Sequence, residues 1–381
     1  MIELHYRDIL NKESINTISD DHGFRDALTL EKFIMDFEVL THIQEVLPDC
    51  VVKGGMAVPF HLHDKTLRRL SVDVDIVTGH SREEVVEAMK KVSEKLKGTV
   101  EIGDPHIPKG DSNKKLPLLT YFCDYQSSID ENPQMKIEIF YGNNMEVQLK
   151  KIETETEIMG FPIDFPLSIY DHGSLIGDKL TTLPFNTIGI NSKRELDVPK
   201  QIYDIATLLK SISDEPPMGI IIDAFEKISL DEISYFKENP PTFEDVLIDL
   251  DKFSNGILIT NIQIKLHPSY QGRFEKFTTE MLGNGRYQGY VHVADILLIK
   301  AIIKLILKKF NGVKLEIITE KAKQMLNGLN DFSKLESRDK VIKSKRLVAK
   351  YGKTSDKGKI MKNLFPEQVF LYNQLIEIEK I

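Results

Sequence analysis

The sequence predicts an α+β fold, with a sheet flanked by helices in the first half and a mostly α-helical region after it. Two observations carry this. Up to about residue 210, short alternating apolar segments are interspersed with amphipathic ones; beyond Asp214-Glu215-Pro216-Pro217 the chain reads mainly as helices separated by Gly, Asn and Pro breaks. With 381 residues, 41% of them hydrophobic, the chain has enough apolar material for two domains, placed at 1–215 and 216–381.

The elements follow in order. Leu30, Phe33, Ile34, Phe37, Leu40, Ile43 and Leu47 recur at helical spacing, and Pro48 ends the run. Cys50-Val51-Val52-Lys53 is β-like and enters Gly54-Gly55; Met56 to Phe60 reads as helical. Residues 69–77 alternate strictly, with Leu70, Val72, Val74 and Ile76 on one side and Ser71, Asp73 and Asp75 on the other. A helix is expected over 82–96 and strands over 98–102, 117–125, 135–141 and 145–158. The Gly, Pro, Lys and Asp content of 103–115 marks a mobile loop. Helices are expected at about 172–183 and 199–212. The apolar stretch Ile296–Leu307 is interrupted by Lys300 and Lys304 and followed by Lys308, all on one helical stripe, so it reads as a core helix with a solvated face rather than a membrane span.

Charge and composition remove several functions. The net charge of −8 excludes a protein that coats polyanions over its whole surface. The average hides one basic segment, because 338–362 carries ten Lys or Arg against two Asp. That segment reads either as a solvated face or as a nucleic-acid contact surface. Two cysteines, Cys50 and Cys123, exclude a disulfide scaffold or a cysteine-rich zinc site and suit a reducing cytoplasm. The charged N-terminal residues lack the apolar region of a signal peptide. P-loop, GxSxG and HExxH motifs are absent.

The chemistry lies in Lys53-Gly54-Gly55 followed by Arg69-Leu70-Ser71-Val72-Asp73-Val74-Asp75. A glycine pair after a strand lets backbone N–H groups approach a phosphate. Two Asp at i and i+2 on a strand share a face and suit Mg²⁺, which takes one or two carboxylates plus substrate phosphates. Glu138, in the alternating Met135-Lys136-Ile137-Glu138-Ile139-Phe140, offers a third carboxylate; a plain exposed strand residue is the other reading. Lys179 lies in Gly177-Asp178-Lys179-Leu180-Thr181-Thr182 and Asp204 in Lys200-Gln201-Ile202-Tyr203-Asp204-Ile205. Weaker candidates are His61 with His63 for a metal, and Lys109, Lys114, Lys115 and Arg194 for phosphate.

In this order, GG, RxSxDxD, GxKxxTL and a KxxYDI helix resemble the AbiEii/AbiGii-type toxin nucleotidyltransferases of the polymerase-β-like superfamily, over roughly residues 50–210. The resemblance implies a mixed sheet flanked by helices and Mg²⁺-dependent transfer of NMP from an NTP to an acceptor, with tRNA foremost. It implies the toxin of a bacterial toxin–antitoxin or phage-defence pair, with an antitoxin as a candidate partner. The lack of an export or membrane segment leads us to expect a cytoplasmic protein with no membrane partner. Carried over by motif, Lys53, Gly54, Gly55, Arg69, Ser71 and Lys179 bind the nucleotide. Asp73 and Asp75 hold metal with Glu138, and Lys179 and Asp204 complete the catalytic set. Gln201 stands where an acid is common in the last motif. A small-molecule or protein hydroxyl as acceptor, and a binding module without catalysis, are the alternatives.

Overall fold

The computed structural model describes residues 6, 8–22, 24, 26–62, 69–107, 113–130, 133–142, 147–152, 156–158, 161–163, 165–190, 197–260, 264–282, 287–351 and 355–381. His63, Lys109, Arg194 and Lys353 lie outside them. Two compact units are present. One comprises Met1–Leu175, Asp231–Pro240 and Glu280–Asn284; the other comprises Ile176–Leu230, Pro241–Thr279 and Gly285–Ile381.

The first unit begins with helices α1 (Lys12–His22) and α2 (Ala27–Val46). Asp26 caps α2 by accepting from the Leu28 and Thr29 amides. Strand β1 (Val51–Val52), the short helix α3 (Gly54–Ala57) and a 3₁₀ turn (Val58–His61) precede β2 (Asp73–Val77). Helix α4 (Arg82–Lys95) starts at a capping box in which Ser81 and Glu84 exchange hydrogen bonds. Then come β3 (Val100–Ile102), β4 (Leu118–Tyr125), β5 (Gln134–Phe140), β6 (Leu149–Ile152), β7 (Thr156–Ile158), β8 (Phe161–Ile163) and β9 (Leu167–Tyr170).

Among the described residues seven strands form one sheet in the order β3-β4-β5-β2-β1-β9-β6. The sheet is mixed: β2 with β5 and β1 with β9 are parallel, and the other neighbours are antiparallel. Its alternation is the one expected of a sheet with one covered face. Val74, Ile76, Ile137 and Ile139 are fully buried, whereas Asp73, Asp75, Lys136 and Glu138 between them are half-buried. Helix α2 supplies the aromatic core, where the rings of Phe33 and Phe37 meet edge to face at 5.1 Å and Phe161 packs 5.7 Å from Phe37.

Helix α5 (His172–Leu180) leads into the second unit. There follow α6 (Asp197–Lys210), α7 (Met218–Ser234), α8 (Phe243–Asp251), the hairpin β10 (Leu258–Ile259) and β11 (Lys265–Leu266), and α9 (Pro268–Glu280). The rest is helical, with α10 (Gly289–Phe310), α11 (Leu315–Ser333), α12 (Ser337–Lys350), α13 (Asp356–Lys362) and α14 (Pro366–Ile378). Helix α10 forms the centre, with α6, α8, α11 and α14 packed around it.

On the expected solvated face of α10 the lysines are half-buried and find oxygen partners. Lys300 bonds Ser254 Oγ, Lys304 pairs with Asp251 at 2.7 Å and Lys308 reaches the Glu379 carbonyl. The stripe meets polar groups of α8, the turn after it and the α14 terminus, because long lysine stems bury their methylenes while the ammonium finds an oxygen. Among the described residues no helix is long and apolar enough to cross a membrane.

Candidate active site

The carboxylate site of the first unit is built on adjacent strands. Strand β1 pairs with β2, and the Lys53 amide extends that ladder by donating to the Asp75 carbonyl at 3.0 Å. The chain then turns into α3 through Gly54 at φ +66°, a left-handed conformation that side chains disfavour. Space demands glycine as well. A Cβ on Gly54 would lie 2.0 Å from Asp75 Oδ2, and one on Gly55 would lie 2.4 Å from Ser71 Oγ and 3.0 Å from Arg69 Nη2. The glycine pair therefore lets the backbone lie directly against the two-carboxylate strand.

Arg69 and Ser71 are buried beneath that turn, and Arg69 Nη1 donates to the Leu70 carbonyl at 2.8 Å. The Lys53 ammonium lies 4.5 Å from the centre of the Phe140 ring.

On the other side of β2, the parallel register sets Asp73 opposite Lys136 and Asp75 opposite Glu138. The Lys136 ammonium bridges the acids, 3.4 Å from Asp73 Oδ1 and 3.1 Å from Glu138 Oε2. Burial, with the negative charges of Glu138 and Asp73, pushes the Asp75 carboxyl up to about 6. For Lys136, burial opposes the charged form, but Asp73 and Glu138 outweigh it and the ammonium is held more tightly than usual.

A divalent cation fits this donor set in one respect. Two aspartates share a face, and their mutual repulsion is what a bound cation relieves. Among the described residues no three His, Cys, Asp or Glu side chains are grouped closely enough to hold one ion. Asp73 and Asp75 share the β2 face, Glu138 stands opposite Asp75 on β5, and Lys136 engages both Asp73 and Glu138.

Lys179 and Asp204 belong to the second unit. They form a buried ion pair, Nζ to Oδ2 at 2.7 Å, with side chains 3% and 0% exposed. Gln201 also accepts from Lys179, at 3.2 Å. The glutamine in place of the common acid thus still supplies an oxygen to the lysine, without a second negative charge. Gly177 lets α5 approach α7: a Cβ there would lie 2.7 Å from that of Ala224 and 2.8 Å from the Ile221 carbonyl.

The weaker candidates find other partners. Among the described residues His61 belongs to no group that could hold a metal ion; its ring stacks on His172 at 5.1 Å, and its Nε2–H donates to the Tyr170 carbonyl at 2.9 Å. Burial drives its pKa down to about 3, keeping it neutral. Lys114 pairs with Glu232 at 3.7 Å and lies over Phe236, and the Lys115 amide donates to the Tyr235 carbonyl. In the basic segment, Lys340 pairs with Glu367 and Lys350 with Glu377, while Arg338, Lys345 and Arg346 are exposed.

Two residues of this region were not anticipated. Lys136 precedes Glu138 by two positions on a strand, so period-two alternation already placed both on one face. Asp36 sits inside the apolar run of α2, fully buried, with neither carboxylate oxygen hydrogen-bonded among the described residues. Burial, then the charge of Asp73, holds its pKa well above the usual carboxylate range. An acid among Phe33, Ile34, Met35 and Phe37 was its only sequence signal.

No curated protein matches the chain. The family described as "Nucleotidyl transferase AbiEii toxin, Type IV TA system" matches residues 38–284, which is more than half of the chain and includes both the glycine–aspartate site and the Lys179–Asp204 pair. The chain belongs to the AbiEii nucleotidyl transferase toxins of type IV toxin–antitoxin systems.

Proposed function

We propose that this chain transfers NMP from an NTP to an acceptor hydroxyl, with tRNA as the acceptor, and that an antitoxin counters the resulting toxicity in the cytoplasm. One observation carries the reading: the Gly54–Gly55 turn lies directly against Asp75 and Ser71, so a glycine turn and a carboxylate pair are adjacent on one sheet face. Residues 1–215 hold this chemistry and the helical region 216–381 follows it.

In this reading Asp73 and Asp75 hold Mg²⁺, which would neutralise charge on the triphosphate and its leaving pyrophosphate. Backbone N–H groups of the Gly54–Gly55 turn donate to the phosphates. Arg69 and Ser71 fix that turn from beneath, and Lys53 adds positive charge beside it. Glu138 takes the proton of the acceptor hydroxyl, its carboxylate steadied by Lys136. Lys179 binds the triphosphate, and Asp204 with Gln201 positions that ammonium.

The test supplies the full chain with each α-labelled NTP and Mg²⁺, together with purified tRNA or with RNA-depleted lysate. Label is expected in tRNA. Label entering only the protein or small-molecule fraction would replace tRNA as acceptor.

A further inference from the structure

We propose that a cleft beside Asp73 is the acceptor subsite, in which the Phe122 ring stacks on a base at a single-stranded RNA end. The inference rests on the transfer reading above and adds the residues that seat the acceptor. It starts from strand order. On the carboxylate face, the Gly54–Gly55 turn lies on the β1 side of β2, and β5 and β4 lie on the other side. Register runs from Asp73 to Lys136 to Phe122, and from Asp75 to Glu138 to Thr120. Phosphoryl transfer places the attacking and leaving oxygens in line, on opposite sides of the phosphorus. With the phosphates against the glycine turn, the acceptor must arrive over β5 and β4.

The surface there has the matching chemistry. A cleft of about 310 Å³ is lined by Lys32, Asp73, Phe122, Gln134, Met135 and Lys136, at the lower end of the range for small-ligand sites. On β4, Thr120, Tyr121 and Cys123 are all buried, yet Phe122 between them is 41% exposed. The His106 ring meets it edge-on with centroids 6.4 Å apart, leaving two aromatic groups at this edge. An exposed ring flanked by lysines is the arrangement that receives a stacked base with its phosphates, whatever the base. Asp26 and Asp73 line the same cleft and Lys136 is shared with Asp73 and Glu138, so Lys32 is the cation that meets a backbone phosphate there.

The test titrates fluorescein-labelled single-stranded RNA with a free 3′ hydroxyl, and separately a fluorescent triphosphate analogue with Mg²⁺, against the full chain. Wild type, Phe122→Ala, Phe122→Trp and Lys32→Glu are compared, with thermal melting to verify folding. Phe122→Ala should weaken RNA binding by roughly 5- to 150-fold, the range for one stacked base, and leave the triphosphate analogue unaffected. Phe122→Trp should restore the affinity, and Lys32→Glu should weaken it independently of the ring. RNA affinity unchanged in Phe122→Ala, no RNA binding by wild type, or a loss confined to the triphosphate analogue would each overturn the proposal. RNA bound through Phe122 without any nucleotide transfer would instead overturn the transfer reading and leave the subsite standing.

Discussion

Replacing Gly54 with alanine tests how closely the turn and the carboxylates are coupled. The backbone there is at φ +66°, where an added Cβ costs about 1–2 kcal/mol. The steric effect is larger in its consequences. The new methyl would lie 2.0 Å from Asp75 Oδ2, and ordinary contact begins at 3.4 Å, so the carboxylate must retreat by about 1.4 Å or the turn must lift. Misplacing a reacting group by about 1 Å costs on the order of 100-fold in rate. Gly98→Ala is the control, since Gly98 has φ +91° and a Cβ there meets nothing within 4 Å. Both variants should lose stability in urea unfolding through the shared positive φ, Gly54→Ala more because of its overlap with Asp75, and only Gly54→Ala should lose transfer of labelled NMP and its response to Mg²⁺. Equal transfer by Gly54→Ala and wild type, or an equal loss in Gly98→Ala, would refute the coupling.

Three further predictions follow from the titratable and buried groups. Asp75 must be ionised to hold a cation, so transfer should rise with pH through about 6; a rate flat from pH 5 to 7.5 would contradict this. Because its folded pKa is raised from 3.8 to about 6, the metal-free stability it contributes should fall as pH rises across that interval and level off above it. Lys179→Met strands the buried Asp204 and should cost about 3–5 kcal/mol, much of it regained in Lys179→Met/Asp204→Leu while transfer stays lost; a single-variant cost below about 1 kcal/mol in urea unfolding would argue against the buried pair. Asp36 keeps its proton in the folded state after the unfolded chain has released it, so wild type should lose about 1.4 kcal/mol per pH unit relative to Asp36→Asn as pH rises above the unfolded value. Parallel pH profiles of the two unfolding curves would rule that out.

Much of the site was legible because sheet geometry is local. Alternation alone put Asp73 and Asp75 on one face and Lys136 with Glu138 on another strand's face. The pairing between those strands was not legible, since register depends on which strands become neighbours; hence the Lys136 bridge emerged only from the fold. Glycine spacing pointed to close backbone approach, but that the obstructing atoms belong to Asp75 and Ser71 is a tertiary fact. Helix α10 was recognised by its apolar period, but the partners of its lysine stripe were not legible, because their oxygens come from Ser254, Asp251 and Glu379, distant in sequence. The long strand expected over 145–158 is described only as the short β6 and β7, and both are paired elsewhere in the chain order, with β9 and β8.

The central claim is that the Asp73–Asp75 pair carries nucleotide transfer. Its most direct measurement is label incorporation into purified tRNA from α-labelled NTP with Mg²⁺, comparing wild type with Asp73→Asn/Asp75→Asn at matched folded concentration. The two substitutions together keep the shape of the strand face while removing its two negative charges. Wild type should label tRNA and the double variant should not. Incorporation at wild-type rate by the double variant would contradict the account.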